Sequence, residues 1–560
     1  MSVLIDDPTL GIDAATHQRL EEIWLEAQNQ RDLRVAKRRE KPKVRIWDGD
    51  WKFIGTVHGE ISGSFSWKMN DTGAGELVLP ADHHISRWVL DYENRKKNVH
   101  ITVDKDGARW GGRLRRARLT KDKDGKRLLV LPFLEDYEEV KRIRMWSNPF
   151  LPAIVQFPRV SMLAGPSRWV LKAMLMMNLI RTENSLWALP DDPLDISQWF
   201  GSWDMNSWSK VIKPSSLLLD STPWTIASSR FKTWHDMAED TLADAELMVT
   251  TRRWLTGDPP PYPTANLRNG TLVIDIVDKS GRWSEDGHGA GGNIFSGIWN
   301  TITTIAQNGI DNVDSTIPVP VTIPEYGIAG WLGTVPQRPY VTYRDGAITG
   351  VEAAEFVWEP SQAVQVVGGG HSAPGVNEGI SAAVQMVGNI VGTFALVPTA
   401  GTIADTFLRP IYEDTIAAFM SVKSPIRSMQ SGWSHYEEYF ARGSDRAYTL
   451  SSIIAMRAGF WETRERVSHQ LSVRDGAPWF IGDNGEGHFF LGDRIASTII
   501  GLPEGEMVVE QVSGLTFAWD RDSMGWDIEL GDPRSGESGL DRIIREITKL
   551  TSATTALGLT

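Results

Sequence analysis

The stretch from residue 471 to residue 532 constrains the fold most. Short apolar runs at 479–481, 489–491, 495–500, 507–512, 515–519 and 526–530 alternate there with clusters of Gly, Asp, Asn and Pro. Runs of this length, separated by turn residues, indicate successive antiparallel strands in a small barrel or sandwich. The last two runs flank the polar, Gly-terminated hairpin loop 520–525.

A similar hairpin lies near the other end of the chain. Runs at 113–119 and 126–131 are joined by 120–125, and before them 99–103, the turn 104–107 and 109–112 repeat the order found around 489–492. Further strand-like runs at 44–47, 51–58, 62–69 and 76–79 complete a first β module. Two modules of related design, far apart in sequence, form a candidate internal repeat, although any two antiparallel modules share such turns.

Before and between them the periodicity changes. Residues 13–40 have helical spacing in Leu20, Ile23, Trp24, Ala27 and Leu33, with a basic end that either faces solvent or docks on an acidic neighbour. Residues 133–146 pass from acids to bases and read as partly helical. A helix is predicted over 167–179, where the Met run serves as core filler rather than a cofactor box. Residues 233–248 form an amphipathic helix leading into strands 249–255 and 271–277 around the loop Gly257-Asp-Pro-Pro-Pro261. Trp199, Trp203 and Trp208 stand close together, as packing, subunit interface or sugar-stacking surface.

Residues 289–310 and 379–404 contain no charged residue. The second is long enough to cross a bilayer, but Ser, Gln, Asn, Thr and Pro398 dilute it, and its Gly388/Gly392 spacing is a helix-packing device. Buried helices in an oligomer core and conditional membrane contact both fit. Ile294, Phe295, Ile298, Trp299, Val384, Val387, Ile390, Val391 and Phe394 are the candidate plug or membrane contacts. Helices are expected over 405–422, 436–440, 450–469 and 540–550, with β structure in 340–358.

With 560 residues, the chain exceeds a single core. The class expected is β-rich α+β. Its parts are a helical arm (1–43), a first barrel-like module (44–135), a Trp-rich α+β unit (136–286), an uncharged helical insertion (287–430), a second barrel-like module (431–535) and a closing helix and tail (536–560). A net charge of −13 argues against general nucleic-acid binding. The absence of cysteine removes disulfides, thiolate metal sites and Cys nucleophiles. The 24 tryptophans favour extensive subunit contacts. The acidic start of the chain is unlike a signal peptide.

Catalytic signatures are scarce. No H-E-x-x-H, G-x-S-x-G or Walker A motif occurs. The G-x-G-x-x-G match at 287–292 stands well past the strand that a dinucleotide fold would need directly before it, so no cofactor is expected. His83 and His84, with Asp82 and Asp91, have metal-ligating chemistry, but neighbouring residues on a strand face opposite ways. No metal or catalytic residue is assigned.

In order and spacing, the β start, the Trp-rich middle with its Gly-Asp-Pro-Pro-Pro loop, the uncharged insertion, and the close with 490–494 and 530–532 resemble the tail-tip hub proteins of long-tailed phages that infect actinobacteria. The resemblance covers most of 44–532. It implies a non-enzymatic homotrimer in the virion, at the distal end of the tail tube, in which two barrel-like modules per chain match a sixfold tube to a threefold tip. Its implied partners are itself, distal tail and tape-measure proteins, other minor tail proteins and the host membrane or envelope, with DNA only passing through a lumen. A carboxylate-based cell-wall hydrolase and a glycan-binding adhesin are the alternatives.

Overall fold

The computed structural model describes residues 14–121, 125–158, 160–196, 199, 203–279, 316–318, 341–344, 346, 350–369, 419–441, 456, 459–460, 462–473, 478–498, 506–521 and 523–531. All nine candidate plug or membrane contacts, the G-x-G-x-x-G match and residues 540–550 lie outside these.

Helix α1 (Ala14–Arg38) opens the chain. Its basic end docks: Lys37 Nζ lies 2.9 Å from Glu486, and Arg38 donates to Pro478 O at 2.8 Å with its guanidinium over Phe480. The first β module follows as β1 (Lys43–Asp48), β2 (Phe53–Thr56), β3 (Ser62–Lys68), β4 (Ala74–Pro80), the short α2 (His84–Leu90), β5 (Val99–Lys105), β6 (Ala108–Leu114), β7 (Arg118–Lys121) and β8 (Arg127–Glu135). Inward and outward residues alternate along β4 and β8, as one-sided burial requires. Asp106 and Gly107, both at positive φ, close the two-residue hairpin between β5 and β6.

The middle unit contains α3 (Tyr137–Lys141), β9 (Ser161–Pro166), α4 (Ser167–Glu183), β10 (Lys210–Ile212), β11 (Trp224–Ser229), α5 (Trp234–Asp244), β12 (Leu247–Arg253) and β13 (Leu272–Asp278). Strands order as β10-β13-β12, with a β9–β11 ribbon beside them. The N-terminus of α4 is capped from a distant loop, Asp220 accepting from Trp169 N at 3.0 Å and Thr222 Oγ1 from Arg168 N at 3.2 Å. Met174 is fully buried, and Met176 and Met177 pack on the same core, so the Met run fills space as expected.

The remaining elements are β14 (Thr316–Pro318), β15 (Thr342–Tyr343), β16 (Val351–Glu359), β17 (Gln365–Gly369), β18 (Phe419–Lys423), α6 (Pro425–Ser431), β19 (Glu438–Phe440), β20 (Arg466–Val473), β21 (Arg494–Ser497), β22 (Glu506–Trp519) and β23 (Met524–Gly531). Three helical expectations are corrected here. Residues 419–422 and 438–440 are strands pairing with β17, and 466–469 begin β20 between β16 and β23. Pairing with strands remote in sequence overrides local helical spacing. The helix predicted to reach residue 248 stops at Asp244, because Leu247 starts β12.

Both β modules share one sheet. Its order is β16-β20-β23-β22-β3-β4-β8-β6-β5-β1-β2, and among the described residues this path stays open rather than closing into a barrel. The join is the β22–β3 ladder, from Gly514↔Lys68 to Trp519↔Gly63. At Gly63 a Cβ would lie 2.4 Å from the Trp519 ring, so only glycine admits this crossing. Phe65, Trp67 and Trp110 from one side pack with Phe517, Trp519 and Trp526 from the other in one continuous core. The β-rich α+β class expected from sequence is the class observed.

Candidate functional site

The turn between β3 and β4 is one place where the units meet. Met69 N donates to Ser513 O of β22 at 2.8 Å. Asn70 adopts φ 55, a left-handed conformation that Asn tolerates. Its side chain donates to Leu247 O at 2.7 Å and accepts from Val249 N at 2.8 Å, acting as an extra strand mate for β12. Asp71 pairs with Lys141, and Thr72 Oγ1 donates to Glu138 at 3.1 Å. Gly73 N donates to Glu135 Oε2 at 2.8 Å, while Glu135 N returns a bond to Gly73 O. One turn therefore holds both β modules and the middle unit.

Beside it lies a buried ionic knot. Arg253, at the end of β12, clasps Asp136 through two bonds of 2.9 and 2.8 Å and reaches Glu139 at 2.5 Å. Its guanidinium lies 4.7 Å from the Trp51 ring centroid, and Lys210 adds a 3.1 Å contact to Glu139. Burial alone would raise Glu139, but Arg253 and then Lys210 outweigh it and hold the carboxyl well below the usual range. His100 stacks on Trp51; burial, with Arg253 adding to it, lowers that imidazole to about 3 and keeps it neutral. Burial pushes Glu135 up to about 8 against the Gly73 N–H, so this carboxyl is mainly protonated at neutral pH.

An open cavity of about 220 Å³ borders the knot, lined in part by Arg113, Arg115, Glu135, Glu138 and Arg142. Its acids are committed to structure. Asp136 and Glu139 face Arg253, Glu138 pairs with Arg142 at 2.8 Å and Thr72, and Glu135 faces Gly73. That arrangement fastens elements together.

Among the described residues no group of His, Cys, Asp or Glu is arranged to hold a metal. His83 caps α2, its Nδ1 accepting from Ile85 N, while its other nitrogen meets His58 O at 2.9 Å. The Trp cluster divides: Trp208 is buried, whereas Trp199 and Trp203 are 52% and 66% exposed. Other large apolar side chains stand out beyond them. Asn148 and Gln156 brace the loop between them with mutual side-chain and backbone bonds, and Ile154 at its tip is 91% exposed. Trp433 and Tyr436 project near β19, and Trp24 from α1.

Residues 43–532 match the family described as Siphovirus ReqiPepy6 Gp37-like protein. The chain belongs to that family. It is 33% identical to minor tail protein Gp28 of Mycobacterium phage D29 over 589 residues, spanning 96% of this chain and 98% of the relative. Identity to minor tail protein Gp28 of Mycobacterium phage L5 is 34% over the same length and shares. The 43 kDa tail protein of prophage MuSo2 from Shewanella oneidensis is similar at 10% identity and a TM-score of 0.40, with 88% of this chain and 99% of that one covered. This is a phage tail protein, located in the virion tail, as the resemblance in its sequence implied.

Among the described residues of this tail protein, no helix is long and apolar enough to cross a membrane. Sequence reasoning missed the Arg253 knot. Asp136 and Glu139 have helical spacing, but nothing local announces a cation more than a hundred residues away.

Proposed function

We propose that this tail protein is the non-enzymatic structural hub of the tail tip. In this reading three copies form a ring at the distal end of the tail tube, adapt its sixfold symmetry to a threefold tip, and open for DNA ejection at the host envelope. The observation that carries it is the β3–β22 ladder, which fuses two β modules into one body. Three such bodies would offer six β modules to a sixfold tube. The exposed aromatic faces around Trp199, Ile154 and Trp433 would receive distal tail, tape-measure and other minor tail proteins. The uncharged segments 289–310 and 379–404, with Ile294, Phe295, Ile298, Trp299, Val384, Val387, Ile390, Val391 and Phe394, would supply the plug or the host-membrane contact. Light scattering of the purified protein at several concentrations tests the ring. A constant mass near three times 62.4 kDa is expected, and a stable dimer or tetramer would overturn it.

A second reading, glycan binding, draws on the exposure of Trp199 and Trp203. Loss of host-cell-wall binding in a W199A/W203A variant that still enters tails would favour it.

A further inference from the structure

Two edge strands of the sheet that fuses the two β modules, β7 and β16, carry opposite charge. Among the described residues β7 pairs only with β8, and β16 pairs only with β20. The β7 side is basic: of residues 113–127, eight are Lys or Arg and two are Asp, in a chain whose net charge is −13. Arg118, Leu119 and Lys121 on the strand are all exposed. The β16 edge reads Val-Glu-Ala-Ala-Glu-Phe-Val-Trp-Glu, with three acids and no base, and residues 352–355 are exposed in succession. Each edge also presents one large apolar side chain, Leu119 at 51% and Trp358 at 56% exposure.

An unpaired edge is a template for another strand unless charge guards it. Here the guard is selective. Two β7 edges would set Arg118 and Lys121 against their own kind, and two β16 edges would set Glu355 against a second Glu355. Only the mixed pairing brings opposite charges together, and like charges directly opposite across a ladder are destabilising. A mixed edge-to-edge contact is head-to-tail, and head-to-tail contacts either close into a ring or run on as a filament.

We infer that the β7 edge of one copy adds to the β16 edge of a second copy of this chain, carrying the sheet across the subunit boundary. The inference rests on the ring reading above and names the strands that build it. Backbone bonds supply the association, the Arg118/Lys121 and Glu355 charges set which edges meet, and Leu119 and Trp358 cover the contact.

The test uses the full chain, which conveniently contains no cysteine. Single-cysteine variants L119C, A353C and A354C are made and mixed in pairs under mild oxidation. A covalent dimer is expected from L119C with A353C or A354C, and none from L119C alone. In parallel, R118E/K121E and E355K should each lower the oligomer fraction at least several-fold, and the two combined in one chain should restore it. A misfolded variant would not be rescued by that combination. A wild-type trimer that gives no mixed cross-link and keeps its mass in every charge variant overturns the strand pairing and leaves the ring intact. A wild-type protein that is monomeric at all concentrations overturns both.

Discussion

Phe65 and Trp519 stack with ring centroids 5.6 Å apart and planes 20° from parallel, although one lies in the third strand and the other in the second-to-last. Because the ring of Trp519 also fills the space over Gly63, this pair packs the two β modules against each other, and they are expected to unfold together. Trp519→Ala removes a buried indole from the shared core and should cost about 3–5 kcal/mol. Chemical denaturation should show one transition displaced as a whole. Separation into an early and an unshifted late transition would mean that the modules fold independently.

Arg253→Met is the sharper test of the ionic knot. It leaves Asp136 buried without its cation and Glu139 with Lys210 alone, and breaking a buried pair on one side costs about 3–5 kcal/mol. Replacing all three charges, as R253M/D136N/E139Q, should recover a large part of that loss. Urea midpoints for the two variants decide it: equal midpoints would show that the knot contributes shape rather than charge balance.

What the sequence revealed and what it hid divide along one physical line. The starts of α4 and α5, the strand–turn–strand pattern of β22–β23 and the strand runs of β4 and β8 rest on neighbours within a few residues and are legible in the sequence. β18, β19 and the start of β20 were read as helix because their apolar residues also suit a helical face; their strand state is imposed by β16, β17 and β23 from elsewhere in the chain. The β3–β22 join, and the meeting of Arg253 with Asp136, depend on the same long-range placement. Even the Trp cluster was legible only as a cluster, since the letters do not show that Trp208 is buried while Trp199 and Trp203 face outward.

That outward pair yields a prediction of opposite character. Trp199→Ser and Trp203→Ser remove exposed rings and should leave unfolding stability within about 0.5 kcal/mol of the parent. Incorporation into tails, measured as the amount of this protein in purified virions, should fall. Unchanged incorporation would remove this face from the assembly surface.

Glu135 gives the chain a pH dependence of unusual sign for a carboxylate. Its ordinary value is near 4.5, and burial raises it to about 8 in the folded protein. A folded value above the unfolded one means that the native state holds the proton more tightly. Stability from this group is therefore full below about 4.5 and is lost as the pH rises towards 8, at roughly 1.4 kcal/mol per unit within that window. Glu135→Gln keeps a carbonyl oxygen for the Gly73 N–H but cannot ionise. Urea unfolding at pH 5 and pH 8.5 should show the variant gaining on the wild type at the higher pH, because only the wild type must bury a charge there. The same gap between the two proteins at both pH values would show that Glu135 is already ionised beside Gly73, with the turn at Asn70–Gly73 held by a charged acceptor.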